Sequence, residues 1–500
     1  MNGALPTRSL RALLDGYADA VPELAVTSVA LDSRAVTPGA LFLAVRGSAQ
    51  HGLAHVEQAL QHGAAAVAWE PAEGIDAPQL PVPAVAVADL ARRAGTIAAR
   101  FWQQPSQALH TIGITGTDGK TSTAYLIAQA LDRLAQPCAY FGTIGYGRVG
   151  ALADAALTTP DPVRLQGLFA VQRDAGAVAC AMEVSSHALD QGRVASVDFD
   201  TAVLTNVGRD HLDYHGTVDA YAVAKRRLFA WPGLRHAVLN IDDAYGAQWL
   251  AELNATPGAA ATIAYGTGAM PAQGQYVRAT EIVQHATGLR LQLETHAGAA
   301  TLESRLFGRF NGYNLMAALS ALLARGVALD AACAALAQSR TVPGRVESFQ
   351  AEGGPLVVVD YAHTPQALTQ VLAALRPHVD GRLFCIFGCG GDRDRGKRPL
   401  MGAAAVAGAD LAIITDDNPR SEDPAAIVAD IVAGLPAGAT PAVIHDRAAA
   451  ITSAVESARA GDIVLVAGKG HEDYQLYGCE RRSFSDRAFV AGLLGVAVRT

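Results

Sequence analysis

Gly113-Ile114-Thr115-Gly116-Thr117-Asp118-Gly119-Lys120-Thr121-Ser122-Thr123 is the stretch on which the fold turns. It follows an apolar, β-rich run (109–115) and opens a helix-like run (121–134). A strand, a tight glycine turn and a helix N-terminus together make a phosphate cradle. Glycines let backbone N–H groups approach phosphate oxygens, and the helix dipole favours the anion. Lys120 is then placed to reach outer phosphates, and the hydroxyl of Thr121 or Ser122 to reach Mg²⁺. The spacing departs from the ordinary P-loop, whose first glycine would fall at Ile114; Gly113 stands one residue early, giving a longer loop. A glycine turn that merely connects strand to helix is the plainer alternative. Gly-Lys-Thr at such a junction argues against it.

Five hundred residues exceed one hydrophobic core and suggest about three domains. Half the residues are hydrophobic, 17% are charged and the net charge is −8, so no basic nucleic-acid footprint exists. A phosphate site needs only local positive charge. Met1-Asn-Gly-Ala-Leu-Pro lacks the basic and apolar regions of a signal peptide, and no apolar run is long enough for a membrane span. The six cysteines show no C-x-x-C pairing. Reduced thiols, a cytoplasmic setting and a monomer without nucleic-acid or membrane partners are the expectation.

Breaks near Trp102-Gln-Gln-Pro-Ser106 and Thr341-Val-Pro-Gly-Arg345 divide the chain into domains at 1–105, 106–340 and 341–500. From about 108 to 340, apolar strands at 109–115, 178–184, 200–206 and 236–242 alternate with helices, which predicts an α/β domain with a mainly parallel sheet. The last domain repeats the pattern, with strands near 356–360, 382–388, 410–415 and 462–467. Polar motifs follow strands again and again: Asp360-Tyr-Ala-His-Thr-Pro365, Gly388-Cys-Gly-Gly-Asp-Arg-Asp394, Asp416-Asp-Asn-Pro-Arg420 and Gly468-Lys-Gly-His-Glu472. Open α/β sheets bind ligands at the carboxyl ends of their strands. Each of the two larger domains therefore presents one functional edge.

Several residues carry competing readings. Glu183, at a strand end, suits Mg²⁺ or simply borders a helix capped by Ser185 or Ser186. His211 reads chemically as a loop histidine orienting a neighbour, with metal ligation the rarer use. Lys225, beside Arg226 and Arg227 in a helical pattern, reads as part of a solvated basic face. Asn311 and Asn314 share one face of a turn and suit an adenine edge, or cap a helix. Arg393, Arg395, Lys397, Arg398 and Arg420 match carboxylates, while Asp417 and Glu472 can accept from an ammonium; together they suit a zwitterionic amino acid, or pair among themselves.

Gly116-Thr-Asp-Gly-Lys-Thr121, Asn311 with Asn314, and Asp360-Tyr-Ala-His-Thr-Pro365 resemble the Mur ligases of peptidoglycan synthesis. Thr158-Thr-Pro160, Met182-Glu-Val-Ser-Ser-His187, Arg209-Asp-His-Leu-Asp-Tyr-His215, Asp417-Asn-Pro-Arg420 and Gly468-Lys-Gly-His-Glu472 extend the resemblance over essentially the whole chain, within the branch that adds meso-diaminopimelate. The resemblance implies a small α/β UDP-binding domain, a central P-loop ATPase and a C-terminal Rossmann-like domain that binds the amino acid. It implies that ATP converts the D-glutamyl carboxylate of UDP-N-acetylmuramoyl-L-alanyl-D-glutamate into an acyl phosphate, which the incoming amine then attacks.

By the same resemblance, Gly116, Thr117, Asp118, Gly119, Lys120, Thr121 and Ser122 hold ATP phosphates. Asn311, Asn314, Arg345, Asp360 and His363 complete the nucleotide contacts. Lys120, Glu183, His211 and Lys225 are the implied catalytic set. Thr121, Glu183, His211 and Lys225, the last as a CO₂-derived carbamate, are the implied ligands of two Mg²⁺ ions. Leu31, Ser33, Ser48, Ala49 and Gln50 are implied for the uridine side. Thr158, Thr159, Ser185, Gln191 and Arg193 are implied for the muramoyl dipeptide. Arg393, Asp417, Asn418, Pro419, Arg420, Gly468 and Glu472 are implied for diaminopimelate. The physics agrees with Arg420: diaminopimelate has a distal carboxylate that lysine lacks, and an unpaired buried guanidinium penalises lysine.

Three positions depart from the family pattern: Asp118 stands where asparagine is usual, Leu157 where a polar residue is frequent, and His51 where aspartate is common. Folylpolyglutamate synthetase shares the ATPase logic, but Asp-Asn-Pro-Arg and Asp-Tyr-Ala-His-Thr-Pro argue against it. Arg420 disfavours a lysine-adding relative. Retention of Lys120, Glu183, His211 and Lys225 disfavours a nucleotide-binding regulator without catalysis.

Overall fold

The computed structural model describes residues 6–47 and 50–498, so Ser48 and Ala49 lie outside the described residues. The chain forms two compact units, Met1–Ala264 and Tyr265–Thr500.

The first unit begins with a four-stranded parallel sheet of Ser28–Ala30, Ala40–Ala44, Ala66–Trp69 and Ala84–Ala86. The middle two strands are buried along their length, as a sheet covered on both faces requires. Part of a larger sheet runs, within this unit, in the order Ala151–Ala153, Gly145–Arg148, Cys138–Gly142, Ala179–Glu183, His110–Thr115, Thr201–Leu204, His236–Asn240. From Cys138–Gly142 to His236–Asn240 every pair is parallel. Gly142, Glu183, Thr115 and Leu204 therefore end strands on one edge. The four expected strands of this sheet are present. Cys138–Gly142, the neighbour of Ala179–Glu183, is an additional one.

Within the first unit, the segments on either side of residue 105 are in contact. Helix Leu90–Phe101 packs on helix Pro162–Asp174. Arg173 Nη1 donates to the Trp102 carbonyl at 2.8 Å, and Ser106 Oγ to Asp198 Oδ2 at 2.8 Å.

The second unit opens with an antiparallel meander, Gln275–His285, Gly288–Thr295 and Gly298–Ser304, where alternating strands and helices with a mainly parallel sheet were expected. Its pattern is period two: Leu289, Leu291 and Leu293 are buried, whereas Arg290 and Glu294 face solvent. Helix Arg309–Ala324 follows. His378 ties this region to what comes after. Its Nε2 accepts from Gly308 N–H at 3.0 Å, so its Nδ1–H donates to the His285 carbonyl at 2.7 Å. Burial holds this imidazole below its ordinary pKa and hence neutral.

A six-stranded sheet follows in the order Glu347–Gln350, Leu356–Asp360, Ile463–Ala467, Leu383–Phe387, Leu411–Ile414, Ala442–Val443. Only the first strand is antiparallel. Valines, isoleucines and leucines fill both faces, making one core on each side of the sheet. The four expected strands of this domain coincide with observed ones to within one residue. Asp360, Gly468, Gly388 and Thr415 consequently stand at the carboxyl ends of neighbouring parallel strands.

Candidate functional site

The loop 116–119 is held from the side by the next strand end. Thr117 N–H donates to the Asn206 carbonyl at 2.9 Å and Asp118 N–H to Asn206 Oδ1 at 3.0 Å. The Asp118 carbonyl accepts from Thr205 Oγ1 at 2.6 Å. Gly116 has φ +151°, and a Cβ there would collide with Thr205 Oγ1, so the sequence must have glycine at this point. The helix Lys120–Arg133 then starts at Gly119, with its first N–H groups directed at the loop.

Two lysines meet at this loop. Lys120 Nζ donates to the carbonyls of Gly116 and Thr117 at 2.9 and 2.8 Å. Lys225 Nζ donates to the same Gly116 carbonyl at 2.7 Å and lies 4.1 Å from the centre of the Tyr221 ring. Lys225 is 1% exposed, which replaces the solvated-face reading of helix Val218–Arg226: the lysine is on the inner face, Arg226 is half-buried beside the Trp249 ring, and Arg227, just past the helix, is exposed. Burial, with the Lys120 charge adding to it, lowers the Lys225 pKa to about 6. The amine is thus largely neutral near pH 7.

Glu183 is buried and receives four donors. Oε1 accepts from Tyr140 Oη at 2.6 Å and Thr143 N–H at 2.8 Å; Oε2 accepts from Thr121 Oγ1 at 2.8 Å and Thr143 Oγ1 at 3.3 Å. Burial, then the Glu183 charge, raises the Tyr140 pKa and keeps the phenol protonated as a donor. Tyr140 and Thr143 were not singled out in the sequence; the end of an unrecognised strand, Cys138–Gly142, was the available signal.

The expected dipeptide contacts join this carboxylate. Thr158 Oγ1 is 3.0 Å from Thr143 Oγ1, and Thr159 Oγ1 donates to the Glu183 carbonyl at 2.9 Å. Ser185 N–H reaches Thr159 Oγ1 at 3.3 Å, and Ser185 caps the helix that follows. Arg193 donates to the Thr159 carbonyl at 3.1 Å and to Gln191 Oε1 at 2.9 Å. One network therefore contains Thr158, Thr159, Glu183, Ser185, Gln191 and Arg193.

His211 is exposed on the turn after Thr201–Leu204, 3.4 Å from Asp210 and edge-on to His187 at 4.8 Å. The structure does not bond it to Glu183. Among the described residues no group of three or more His, Cys, Asp or Glu is close enough to hold a metal alone. A carboxylate touching a hydroxyl still fits Mg²⁺, which keeps several waters and takes substrate phosphate oxygens beside few protein ligands.

On the first sheet, Ser33 is buried and donates to Gln58 Oε1 at 2.7 Å, next to partly buried Leu31, and Gln50 lies 2.6 Å from His55. His51 accepts from Leu53 N–H at 3.1 Å while its other nitrogen meets the Glu70 carbonyl at 2.8 Å; an aspartate could cap that turn without making the second contact.

In the second unit, Asn311 Nδ2 donates to the Phe307 carbonyl and Asn314 Nδ2 to Asn311 Oδ1, each at 2.9 Å. Neither is an N-cap, since Gly308 takes that place. Asp360 accepts from Val346 and Ala362 N–H at 2.8 and 2.7 Å, and its burial pushes the carboxyl pKa up. Arg345 lies over the Tyr361 ring at 5.0 Å, and His363 is 4.7 Å from that ring.

The strand-end loops gather the expected amino-acid contacts. A Cβ on Gly390 would lie 2.9 Å from Arg420 Nη1 and 3.7 Å from Arg393 Cγ, so both arginines border one glycine. Arg420 Nη1 donates to the Gly391 carbonyl at 2.7 Å. Gly468, at φ +117°, leaves room for the Asp417 carboxylate, whose Oδ2 would be 2.6 Å from a Cβ. Asn418 Nδ2 donates to Glu472 Oε2 at 3.0 Å, and Pro419 joins Asn418 to Arg420 in the same loop. The neighbouring basic residues are used structurally: Arg398 pairs with Glu422 and Asp430, Arg395 with Asp430, and Lys397 with the His363 carbonyl.

Comparison with known proteins places these features in a wider set. Residues 25–102 match the Mur ligase family catalytic domain, 114–322 the Mur ligase middle domain, and 344–470 the Mur ligase glutamate ligase domain. The chain is 49% identical over 496 residues, 97% of its length and 98% of the relative's, to UDP-N-acetylmuramoyl-L-alanyl-D-glutamate–2,6-diaminopimelate ligase of Alkalilimnicola ehrlichii. It is 51% identical over 463 residues to the protein of that name from Ectopseudomonas mendocina, with 92% and 93% covered. A solved structure of a ligase of that name matches at TM-score 0.77 and 38% identity, over 98% of this chain and 99% of the other.

Proposed function

The chain belongs to the Mur ligase family, and from that premise we infer that it is the ligase that joins meso-diaminopimelate to the D-glutamyl residue of UDP-N-acetylmuramoyl-L-alanyl-D-glutamate. It is an ATP-dependent amide ligase of peptidoglycan synthesis. We propose that residues 1–105 bind the uridine side, 106–340 ATP, and 341–500 the amino acid.

The reaction needs a leaving group, because a carboxylate oxygen cannot depart when an amine attacks. The D-glutamyl carboxylate oxygen attacks the γ-phosphorus of ATP and ADP leaves. The amine nitrogen then attacks the acyl carbon, and phosphate departs with the former carboxylate oxygen as the amine sheds a proton. The chain's task is positioning and charge stabilisation.

The loop 116–122 and Lys120 hold the phosphates, and Asn311, Asn314, Arg345, Asp360 and His363 are the proposed nucleotide contacts of the second unit. Thr158, Thr159, Ser185, Gln191 and Arg193 bring the dipeptide carboxylate to the same edge. Thr121 and Glu183 would hold Mg²⁺, with His211 and Lys225 as the further proposed ligands. Bound there, Mg²⁺ would neutralise the charge that gathers on the phosphoryl oxygens. Lys225 has the amine that CO₂ requires: a neutral nitrogen can form the N–C bond and lose its proton, giving an anionic carbamate, whereas an ammonium cannot. The low Lys225 pKa supports that modification. Among the described residues no helix is long and apolar enough to cross a membrane. A cytoplasmic monomer is the proposed state.

The amino-acid assignment rests chiefly on Arg420. Its guanidinium beside Arg393 at Gly390 matches a distal carboxylate, and Asp417 and Glu472 match the distal ammonium. Phosphate release from ATP in the presence of the UDP-muramoyl dipeptide tests it. Release with meso-diaminopimelate well above that with lysine is expected. Release only with lysine, or only when a folate replaces the muramoyl substrate, would overturn it.

A further inference from the structure

Lys469 stands inside the amino-acid loops, and none of the roles above uses it. Its side chain is fully buried. Its Nζ is 3.1 Å from Glu472 Oε2 and 3.3 Å from Asn418 Oδ1, with the Tyr474 ring centre at 5.4 Å. Buried lysines are rare unless paired, so this ammonium belongs to a specific arrangement. Asn418 is fixed by it: Oδ1 accepts from Lys469 and from Leu476 N–H at 3.0 Å, which directs Nδ2 to Glu472. Behind the loop, buried Gln475 donates to the carbonyls of Asp416 and Asp417 at 3.2 and 3.0 Å.

We propose that Lys469 is a positioning residue that sets amino-acid specificity, holding Glu472 and Asn418 in place and tipping the charge of the site toward a ligand with a distal carboxylate. The inference rests on the assignment of diaminopimelate to this site. Among the residues assigned to the amino acid, Asp417 and Glu472 supply two negative charges, and Arg393 and Arg420, with Lys469 added, supply three positive ones; exposed Asp392, near Arg420, lies outside that set. The distal end of diaminopimelate is a zwitterion with no net charge, whereas that of lysine is a cation. A site with a positive excess discriminates against the cation by like-charge repulsion as well as by Arg420's unmet carboxylate. Without Lys469 the charges of this set balance, and Glu472, already the partner of the distal ammonium, keeps a charge that no lysine of the chain offsets and so favours a cation. A purely structural Lys469–Glu472 pair would instead weaken every substrate alike.

The full-length chain is assayed by phosphate release with ATP and UDP-muramoyl dipeptide saturating and either amino acid varied. For Lys469→Met, the KM for meso-diaminopimelate is expected to rise about tenfold with kcat within about threefold, and the diaminopimelate-over-lysine ratio of kcat/KM to fall at least about tenfold. Lys469→Arg, which keeps the charge, should restore the ratio to within about threefold. An unchanged ratio in Lys469→Met, or equal losses for ATP and the muramoyl substrate, overturns the role of Lys469 while leaving the amino-acid assignment intact. A wild-type chain inert to diaminopimelate overturns both. Should Lys469→Met fail to fold, Glu472→Gln is compared with the double variant Lys469→Met/Glu472→Gln, which buries no unpaired charge of this couple. The double variant should show at most about a tenth of the selectivity of Glu472→Gln, and equal selectivity overturns the proposal.

Discussion

Lys120 and Lys225 donate to one and the same oxygen, the carbonyl of Gly116, at 2.9 and 2.7 Å. Two ammonium groups on one carbonyl repel each other in a poorly hydrated place. Burial, and after it the Lys120 charge, brings the Lys225 pKa down to about 6; burial lowers the Lys120 pKa too, but the charges of Glu183, Asp118 and Asp210 oppose that shift. The sequence places a lysine for phosphate on one helix and a second lysine on another. The fold puts both at the loop, one as a cation and one as a nucleophilic amine.

Lys225→Ala should therefore lower kcat by at least about 100-fold, the scale of losing one electrostatic contact to a transition state. Short carboxylic acids added to the variant should restore part of the rate by standing in for the carbamate. A variant as active as the parent chain would remove Lys225 from the mechanism. The pH dependence has a definite sign. Below pH 6 the folded chain holds this lysine as an ammonium, which has no lone pair with which to attack CO₂, so ¹³C-bicarbonate label at Lys225 should appear above about pH 6 and vanish below it. Because the folded pKa lies below the ordinary lysine value of 10.5, the unfolded chain binds the extra proton between those limits. This group's contribution to stability therefore increases with pH across that window.

Arg420→Ala should act on the amino acid alone. Losing a charged carboxylate contact of about 2–3 kcal/mol corresponds to a KM for diaminopimelate raised about 30- to 140-fold, with the KM for ATP unchanged. Initial-rate kinetics with each substrate varied in turn make the check. An unchanged KM for diaminopimelate would reject the assignment of Arg420.

Tyr140→Phe removes one of the four donors on buried Glu183 without changing the shape of the core. The variant should lose about 1–3 kcal/mol of stability, seen as an earlier urea midpoint with an unchanged slope. No shift in the midpoint would mean that this hydrogen bond does not help hold the carboxylate.

Glu422 tests the basic loop of the last domain. Hydrogen bonding to Arg398 pulls its carboxyl pKa down from 4.5 to about 2. The lowered folded pKa means that the stabilisation is fully present above pH 4.5 and is lost as the pH falls through about 2. Glu422→Gln should flatten the acid side of the stability curve over that window. A curve of unchanged steepness in the variant would show that the pair contributes nothing there.

The strand-end motifs were legible because a parallel sheet turns position in sequence into position on an edge. Asp360, Gly388, Thr415 and Gly468 follow four apolar runs, and those runs are neighbouring strands. The meander 275–304 was missed although Leu289, Leu291 and Leu293 alternate with polar residues, because the expectation of alternating strands and helices was extended across it. For Lys225 the helical pattern alone gave a solvated face and only the family resemblance put it in the site, because three consecutive basic residues do not reveal which of them points inward; packing against Tyr221 and the glycine loop decides it. Tyr140 and Thr143 were invisible as partners of Glu183, since their pairing depends on two adjacent strands distant in sequence. The arginine-rich stretch 393–398 was half legible: its charges gave the chemistry, but Glu422 and Asp430, which absorb Arg395 and Arg398, lie too far along the chain to be matched by inspection.

Transfer of the carboxylate oxygen is the most direct test of the whole account. With ¹⁸O in the D-glutamyl carboxylate of the muramoyl substrate, mass spectrometry of the inorganic phosphate should find one labelled oxygen for each amide bond formed. Phosphate free of label, with amide formed at the normal rate, would contradict activation through an acyl phosphate.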